Sequence, residues 1–162
     1  MTGHRSMARK RVVEGAVFEI PICGDRFAYA QALSDPLVGF YEGCFSDAQS
    51  VEKVADLSFR LRLWVHRDAF KQWRQIGNAP VAVGADDQWF YIQDALTKSV
   101  ELYQHGTGLR RPVDAPIGDF EAAAIWDPEH IEERLADEAS GRRNLNAAAM
   151  LERAQKGLNQ RR

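Results

Sequence analysis

Cysteine is scarce in this chain: Cys23 and Cys44 are the two it has in 162 residues, and they form no CxxC pair. That excludes a disulfide-dense scaffold and a thiolate zinc site. Long apolar runs are missing as well. No window approaches the roughly 18–20 apolar residues of a membrane helix. The opening MTGHRSMARKRVV lacks the apolar stretch of a secretory signal. A cytoplasmic protein is expected, with both cysteines reduced and packed as small apolar residues among strands. Neither sign of charge dominates (formal net charge −2), so bulk charge does not point to nucleic acid. The four histidines, His4, His66, His105 and His130, never stand at metal-ligand spacing with one another or with a cysteine. No metal and no cofactor is expected. GxSxG and HExxH are absent, so no catalytic residue is assigned and the chain reads as a non-enzyme.

What is present is an ordinary globular mixture, 45% apolar and 27% charged, enough for one domain with a real core. The charge is unevenly placed. Arg5, Arg9, Lys10 and Arg11 precede any acidic residue. Nine carboxylates between Asp114 and Glu138 face Arg134 alone, and beyond Gly141 six basic residues face Glu152. The expected organisation is a flexible basic tail over 1–13, a single domain over 14–140, and a basic C-terminal helix and tail over 141–162.

The stretch GAVFEIPICGDRFAYAQAL reads as a hairpin, Val17–Cys23 and Arg26–Leu33, turning through Gly24-Asp25 in a two-residue type II′ turn. Phe18, Ile20 and Ile22 share one face. Across the hairpin Phe27, Tyr29 and Gln31 alternate with an alanine row that lets another layer approach closely. Further strands are expected over Leu37–Phe45, Leu57–His66, Val81–Gly84, Trp89–Gln93 and Ser99–Tyr103. In the second of these Leu57, Phe59, Leu61, Leu63 and Val65 occupy one side. Asp68 caps a short helix stopped by Gly77. From Phe120 the pattern is helical: Asp127-Pro128 marks an N-terminus, with Trp126 and Ile131 at the staple positions. An alanine-rich helix follows over Asn144–Lys156. Strands followed by helices predict an α+β fold. Glycine-broken early strands predict a strongly bent, mainly antiparallel, half-barrel-like sheet with short helices and a C-terminal helical segment.

Three features invite chemistry and are read structurally. His130 and Arg134 share a helix flank and are expected to pin that helix to the sheet. Gly106-Thr107-Gly108 before Arg110-Arg111 suggests an anion loop, but Pro112 and Pro116 follow where a phosphate cradle needs a helix. Trp73, Trp89 and Trp126 stand at core spacing. Trp64 differs because it shares a strand face with Arg60, Arg62 and His66, which is either a polar binding surface or a covered sheet side.

In order along the chain, Phe18, Ile20, Pro21, Tyr29 and Ala30, then Trp73, Ile76, Gly77 and Pro80, then Trp126, His130, Ile131, Glu133 and Arg134 form a pattern. It resembles the immunity protein family numbered twenty-six of bacterial polymorphic toxin systems, over roughly residues 12–140. Ile22 stands where the family more often has leucine, and the end beyond Gly141 lies outside the pattern. The resemblance implies a non-catalytic antidote that binds and neutralises a cognate toxin domain, possible toxins including nucleases. The family's motif residues (Phe18, Pro21, Tyr29, Trp73, Gly77, Pro80, Trp126, His130 and Arg134) are structural and do not name the contact surface.

Helical spacing from Ile131 and Leu135 puts Glu129, Glu133 and Asp137 on an outward stripe, with Glu132 beside it. Like charges one turn apart cost a helix about 0.2–0.5 kcal/mol per pair. A matching basic groove on the partner is one reason for such a stripe, a solvated face the other. The strand face of Arg60, Arg62, Trp64 and His66 is the second candidate surface. Two other classes stay open: a nucleic-acid-binding module using the basic tails and aromatic strands, and a small hydrolase using a cysteine or the Asp119/Glu121 pair.

Overall fold

A computed structural model describes residues 12–160 and arranges them as two sheets meeting at a seam, with helices on their faces. Most of the expected basic tail, residues 1–11, lies outside the described residues, as do 161 and 162.

Strands β1 (Ala16–Ile22) and β2 (Arg26–Ala32) form the expected antiparallel hairpin. Ile22 pairs with Arg26, so the connection is the three residues Cys23-Gly24-Asp25 rather than a two-residue turn. Gly24 still takes the positive φ that the reversal needs, +71°. Cys23 is exposed at this tip, which corrects its expected burial because a hairpin tip has no layer above it, while Cys44 is half-buried against the main core. Pro21 causes no gap in the sheet. Phe27 hydrogen-bonds outward to Phe45, so the opposing Pro21 nitrogen points to the other side, beyond the last β1 residue paired with β5, Glu19.

β3 (Leu37–Tyr41), β4 (Phe59–Val65), β5 (Arg74–Asn78) and β10 (Ile125–Trp126) complete a six-stranded sheet. Its order is β10-β4-β3-β2-β1-β5, antiparallel except for β10 against β4. β6 (Trp89–Gln93), β7 (Val100–Gln104), β8 (Arg110–Arg111) and β9 (Glu121–Ala122) form a second sheet in the order β8-β7-β6-β9, with β9 parallel to β6. Neither sheet closes or curls strongly. The half-barrel expectation fails because Val81–Gly84 is loop and turn rather than strand, so the chain begins a new sheet instead of extending the first. The segment from Phe120, expected to be helical, instead crosses between β9 and β10 and stitches the two sheet edges together.

Phe18, Ile20, Ile22, Ala28, Ala30 and Ala32 line one face of the large sheet and join Leu61, Leu63 and Val65 in the main core. Over it lie α2 (Ala69–Gln72) and α3 (Pro128–Ala139), and the alanine row allows that close approach. Val17, Tyr29 and Tyr41 face the other way, under α1 (Val51–Ala55). Phe59 also turns that way. Register slips between Phe40 and Tyr41, leaving Arg60 without a counterpart on β3. The bulge flips Phe59 from the core face it was expected to share with Leu61, and its ring covers Gly39, whose absent Cβ would lie 2.5 Å from it. Gly77 does not end a helix. It lies in β5 opposite Val17, where a Cβ would come within 2.7 Å of Val51.

α3 starts as expected, with Asp127 at the cap position and Pro128 first. Trp126 and Ile131, on either side of that cap, are buried in one cluster. Gly141 follows in the left-handed region, φ +69°. α4 (Leu145–Asn159) is capped by Asn144, whose side chain accepts from the Ala147 N–H at 3.0 Å. Ala147 and Met150 touch the main core and Leu151, Ala154 and Leu158 the second sheet's core, so this helix spans both. Among the described residues no helix is long and apolar enough to cross a membrane.

Candidate functional site

The nine carboxylates of the acidic block divide into two sets. Asp114 pairs with Arg111, Asp137 with Arg142, Glu121 with Arg134, and Glu138 with Arg134 and Arg60. Among the described residues Asp119, Asp127, Glu129, Glu132 and Glu133 have no ion pair, and four of these five belong to the first turns of α3. The positive pole of the helix favours carboxylates there, so their mutual repulsion is partly offset. Asp127, Glu129, His130 and Glu133 are exposed and Glu132 is half-buried.

Two of these acids also lean on α2. Glu132 accepts from the Trp73 indole N–H at 3.0 Å, and Glu129 from Gln72 at 3.4 Å. Trp73 is buried against Phe40 and Phe70. Asp137, expected on the same outward stripe, turns instead to Arg142 and to the Asn144 amide at 3.0 Å, fastening the α3–α4 connection. The outward stripe is therefore Glu129 and Glu133, with Glu132 behind it.

Arg134 and His130 do not act as a pair. Arg134 is buried, grips Glu121 with two nitrogens, reaches Glu138 and lies 5.1 Å over the Trp126 ring. Burial works against its charge, but the hydrogen bonds and charges of Glu121 and Glu138 outweigh that, raising its pKa above the usual value. Arg134 alone pins α3 to the second sheet; His130 points to solvent.

The second candidate face is divided among three places. Arg60, at the bulge, turns toward α3 and lies 3.0 Å from Glu138. Arg62 donates to the Ala85 carbonyl at 2.6 Å. Trp64 stacks on Phe90 and Tyr103 across the seam, so this side of β4 is covered by the second sheet. His66, beyond the strand, pairs with Asp68 near the surface.

That seam holds a constellation that sequence reading missed. Trp64 donates its indole N–H to His105 Nδ1 at 3.1 Å. Indole can only donate, so Nδ1 accepts and the neutral ring carries its proton on Nε2. Nε2 lies 2.7 Å from Ser34 Oγ, which in turn donates to Asp86 at 2.8 Å. Serine, histidine and aspartate thus meet in a sequence opposite to that of a hydrolase. The ring donates to the serine and has no free site to take its proton. Each member comes from a different loop or strand, so no spacing signal announced it.

Arg110 and Arg111 do not converge into an anion cradle. They lie on opposite faces of β8, one 5.8 Å over Tyr103 and the other 4.2 Å over Trp89, and each has an acidic partner. Among the described residues no three His, Cys, Asp or Glu side chains gather as a metal-ligand set.

The residues that carried the family resemblance fall around one layer. Phe18 is in the main core with Trp73 and Trp126, and Gly77 pairs with Val17 of the hairpin. Tyr29 donates to the buried Glu19 at 3.0 Å and accepts from the Gln49 N–H at 2.8 Å. Pro21 and Pro80 are exposed beside these strands. Comparison with family models, curated proteins and solved structures returns no match for the chain.

Proposed function

We propose that this protein is a non-catalytic antidote of the immunity type, which neutralises a cognate bacterial toxin by covering it. Its contact surface is the acidic first half of α3. One observation carries the reading: Asp127, Glu129, Glu132 and Glu133 gather at one helix end with no ion pair among the described residues. The neighbouring carboxylates Glu121, Asp137 and Glu138 are neutralised by arginines. A fold that pairs one group of acids and leaves the adjoining group open offers a negative surface suited to a basic partner, such as the phosphate-binding groove of a nuclease. Further support comes from the resemblance residues. Five of them, Phe18, Ile20, Ala30, Trp73 and Trp126, lie far apart in sequence yet share the main core with Ile131 of α3, the kind of rigid support an inhibitor needs to present that helix.

The test is protection in cells. The chain is co-expressed with candidate toxin domains encoded by the genes neighbouring its own, and survival is scored. Wild type is expected to restore growth, and Glu129→Lys/Glu133→Lys to lose protection while staying folded. If wild type gives no protection, the antidote reading fails. If the folded double variant protects fully at low expression, the acidic face is not the contact.

A further inference from the structure

We propose that the cleft at the C-terminal end of α3 is a binding site for a small carboxylate on an apolar stem. This does not depend on the antidote reading, since the cleft lies at the opposite end of α3 from the acidic face. Its volume is about 290 Å³, near the lower limit of the range that ligand pockets occupy (about 300–1,000 Å³). A branched acid or one amino-acid side chain with its carboxylate is the matching size.

The floor is apolar. Ile22 and Ala28 of the hairpin and Leu135 and Ala139 of α3 line it. Cys44 and part of Tyr41 also border it. Two guanidinium groups stand at the mouth. Arg60 Nε lies 3.0 Å from Glu138 Oε2 as an ion pair without a hydrogen bond, and Arg134 pairs with the other oxygen, so that carboxylate is already neutralised. Arg26 is exposed and has no ion pair among the described residues. The cleft therefore carries one uncompensated positive charge beside an apolar floor. A guanidinium fork matches a carboxylate through two parallel hydrogen bonds, and the floor removes an alkyl stem from water. A phosphate or a polar sugar acid would leave that floor unused.

Two sources share this chemistry: a free short-chain acid, and the C-terminal residue of a partner peptide. Both are tested by amide NMR titration of the full chain. The probes are 4-methylpentanoate, the uncharged 4-methylpentanamide, and acetyl-Ala-Ala-Leu with a free or an amidated C-terminus. Saturable shifts at Gly43, Cys44 and Ala139 are expected with the free carboxylates and not with the amides. Arg26→Gln, at an exposed position, is expected to keep the wild-type melting temperature and weaken binding about tenfold, and Arg26→Lys to recover part of it. Tighter binding of the free acid assigns a small metabolite; tighter binding of the peptide assigns a chain terminus. The proposal is overturned if no carboxylate gives saturable shifts, if the amides bind equally well, or if Arg26→Gln binds like wild type.

Discussion

Arg134 holds Glu121 through both arms of its guanidinium, Nη1 to Oε2 at 2.8 Å and Nη2 to Oε1 at 2.6 Å. This contact ties α3 to β9 and so to the second sheet. The Arg134 side chain is only 9% exposed and that of Glu121 26%. Removing one partner strands a desolvated charge, while replacing both with apolar groups does not. Arg134→Ala is expected to cost about 3 kcal/mol, near the lower limit for a buried pair because Glu121 keeps some water. Arg134→Met with Glu121→Leu is expected to recover most of that loss. Urea denaturation of Arg134→Ala and of the double variant measures it; equal losses for the two would rule the ion-pair account out.

Trp126 supports the same helix from below. It is buried with Ile131, and its indole N–H has no hydrogen-bond partner among the described residues. The ring is present for volume and for its stack with Arg134 rather than for its donor. Trp126→Ala is expected to cost about 3–5 kcal/mol. Trp126→Phe should cost far less, because it removes an unsatisfied polar group along with the lost area. Thermal melts followed by circular dichroism separate the two. A Trp126→Ala protein that melts like wild type would move this residue out of the core.

Much of this frame was legible because it rests on local rules. The Phe18/Ile20/Ile22 alternation, the Asp127-Pro128 start and the Trp126/Ile131 staple each express a period or a cap, and each was read from spacing. The errors share a different cause. The bulge at Arg60 that turns Phe59 over, the crossing from β9 to β10 and the place of Gly77 in β5 are all set by a distant partner strand, not by neighbours in sequence. The acidic face was half legible. Helical spacing found Glu129 and Glu133, but only tertiary contacts show Glu132 bound to Trp73 and Asp137 bound to Arg142 and Asn144.

Gly157 in α4 makes a prediction opposite to helix propensity. In an open helix, Gly→Ala gains about 1 kcal/mol. Here a Cβ would strike the backbone carbonyl oxygen of Lys98 and come within 2.6 Å of the Gln93 amide. Lys98 is held with positive φ, 59°, in the turn between β6 and β7, so it has little room to retreat. Gly157→Ala is expected to lower the melting temperature, and Gly141→Ala, which meets no atom within 4 Å, to act only through its left-handed backbone. A higher melting temperature for Gly157→Ala would show that α4 does not pack this closely.

Tyr91 is expected to contribute to a loss of stability at alkaline pH. Burial, reinforced by the charge of Glu121 and opposed by Arg134 and Arg153, pushes its pKa up to about 12. Burial likewise raises Tyr41, and Tyr29 is raised by burial and by Glu19 against the Gln49 N–H. A phenol with a raised folded-state pKa binds its proton more tightly folded than unfolded. Its stabilising share is thus complete below the unfolded value near pH 10 and is lost as pH rises through about 12. Stability to urea is expected to fall over that interval, and Tyr91→Phe to flatten the decline. An unchanged slope in Tyr91→Phe would locate the alkaline sensitivity elsewhere.

The contact surface proposed on α3 is best tested without touching its anchors. Glu132 accepts from Trp73 and Asp137 from Arg142 and Asn144, so reversing either charge would disturb packing and confound a binding result. Glu129 and Glu133 are exposed, and among the described residues the weak Gln72 contact to Glu129 at 3.4 Å is the one side-chain hydrogen bond that ties them to the fold. Glu129→Lys/Glu133→Lys changes the local charge by four units at little cost to stability. If this end of α3 meets a basic toxin surface, the variant should slow association by at least about tenfold at low ionic strength, because complementary charge acts mainly on the encounter rate. Raising the salt to about 0.5 M shortens the screening length to a few ångströms and should bring the two rates together. Stopped-flow association with the purified toxin domain at both salt concentrations, beside a thermal melt, provides the readings. Equal association rates at low salt for wild type and a folded variant would remove α3 from the interface.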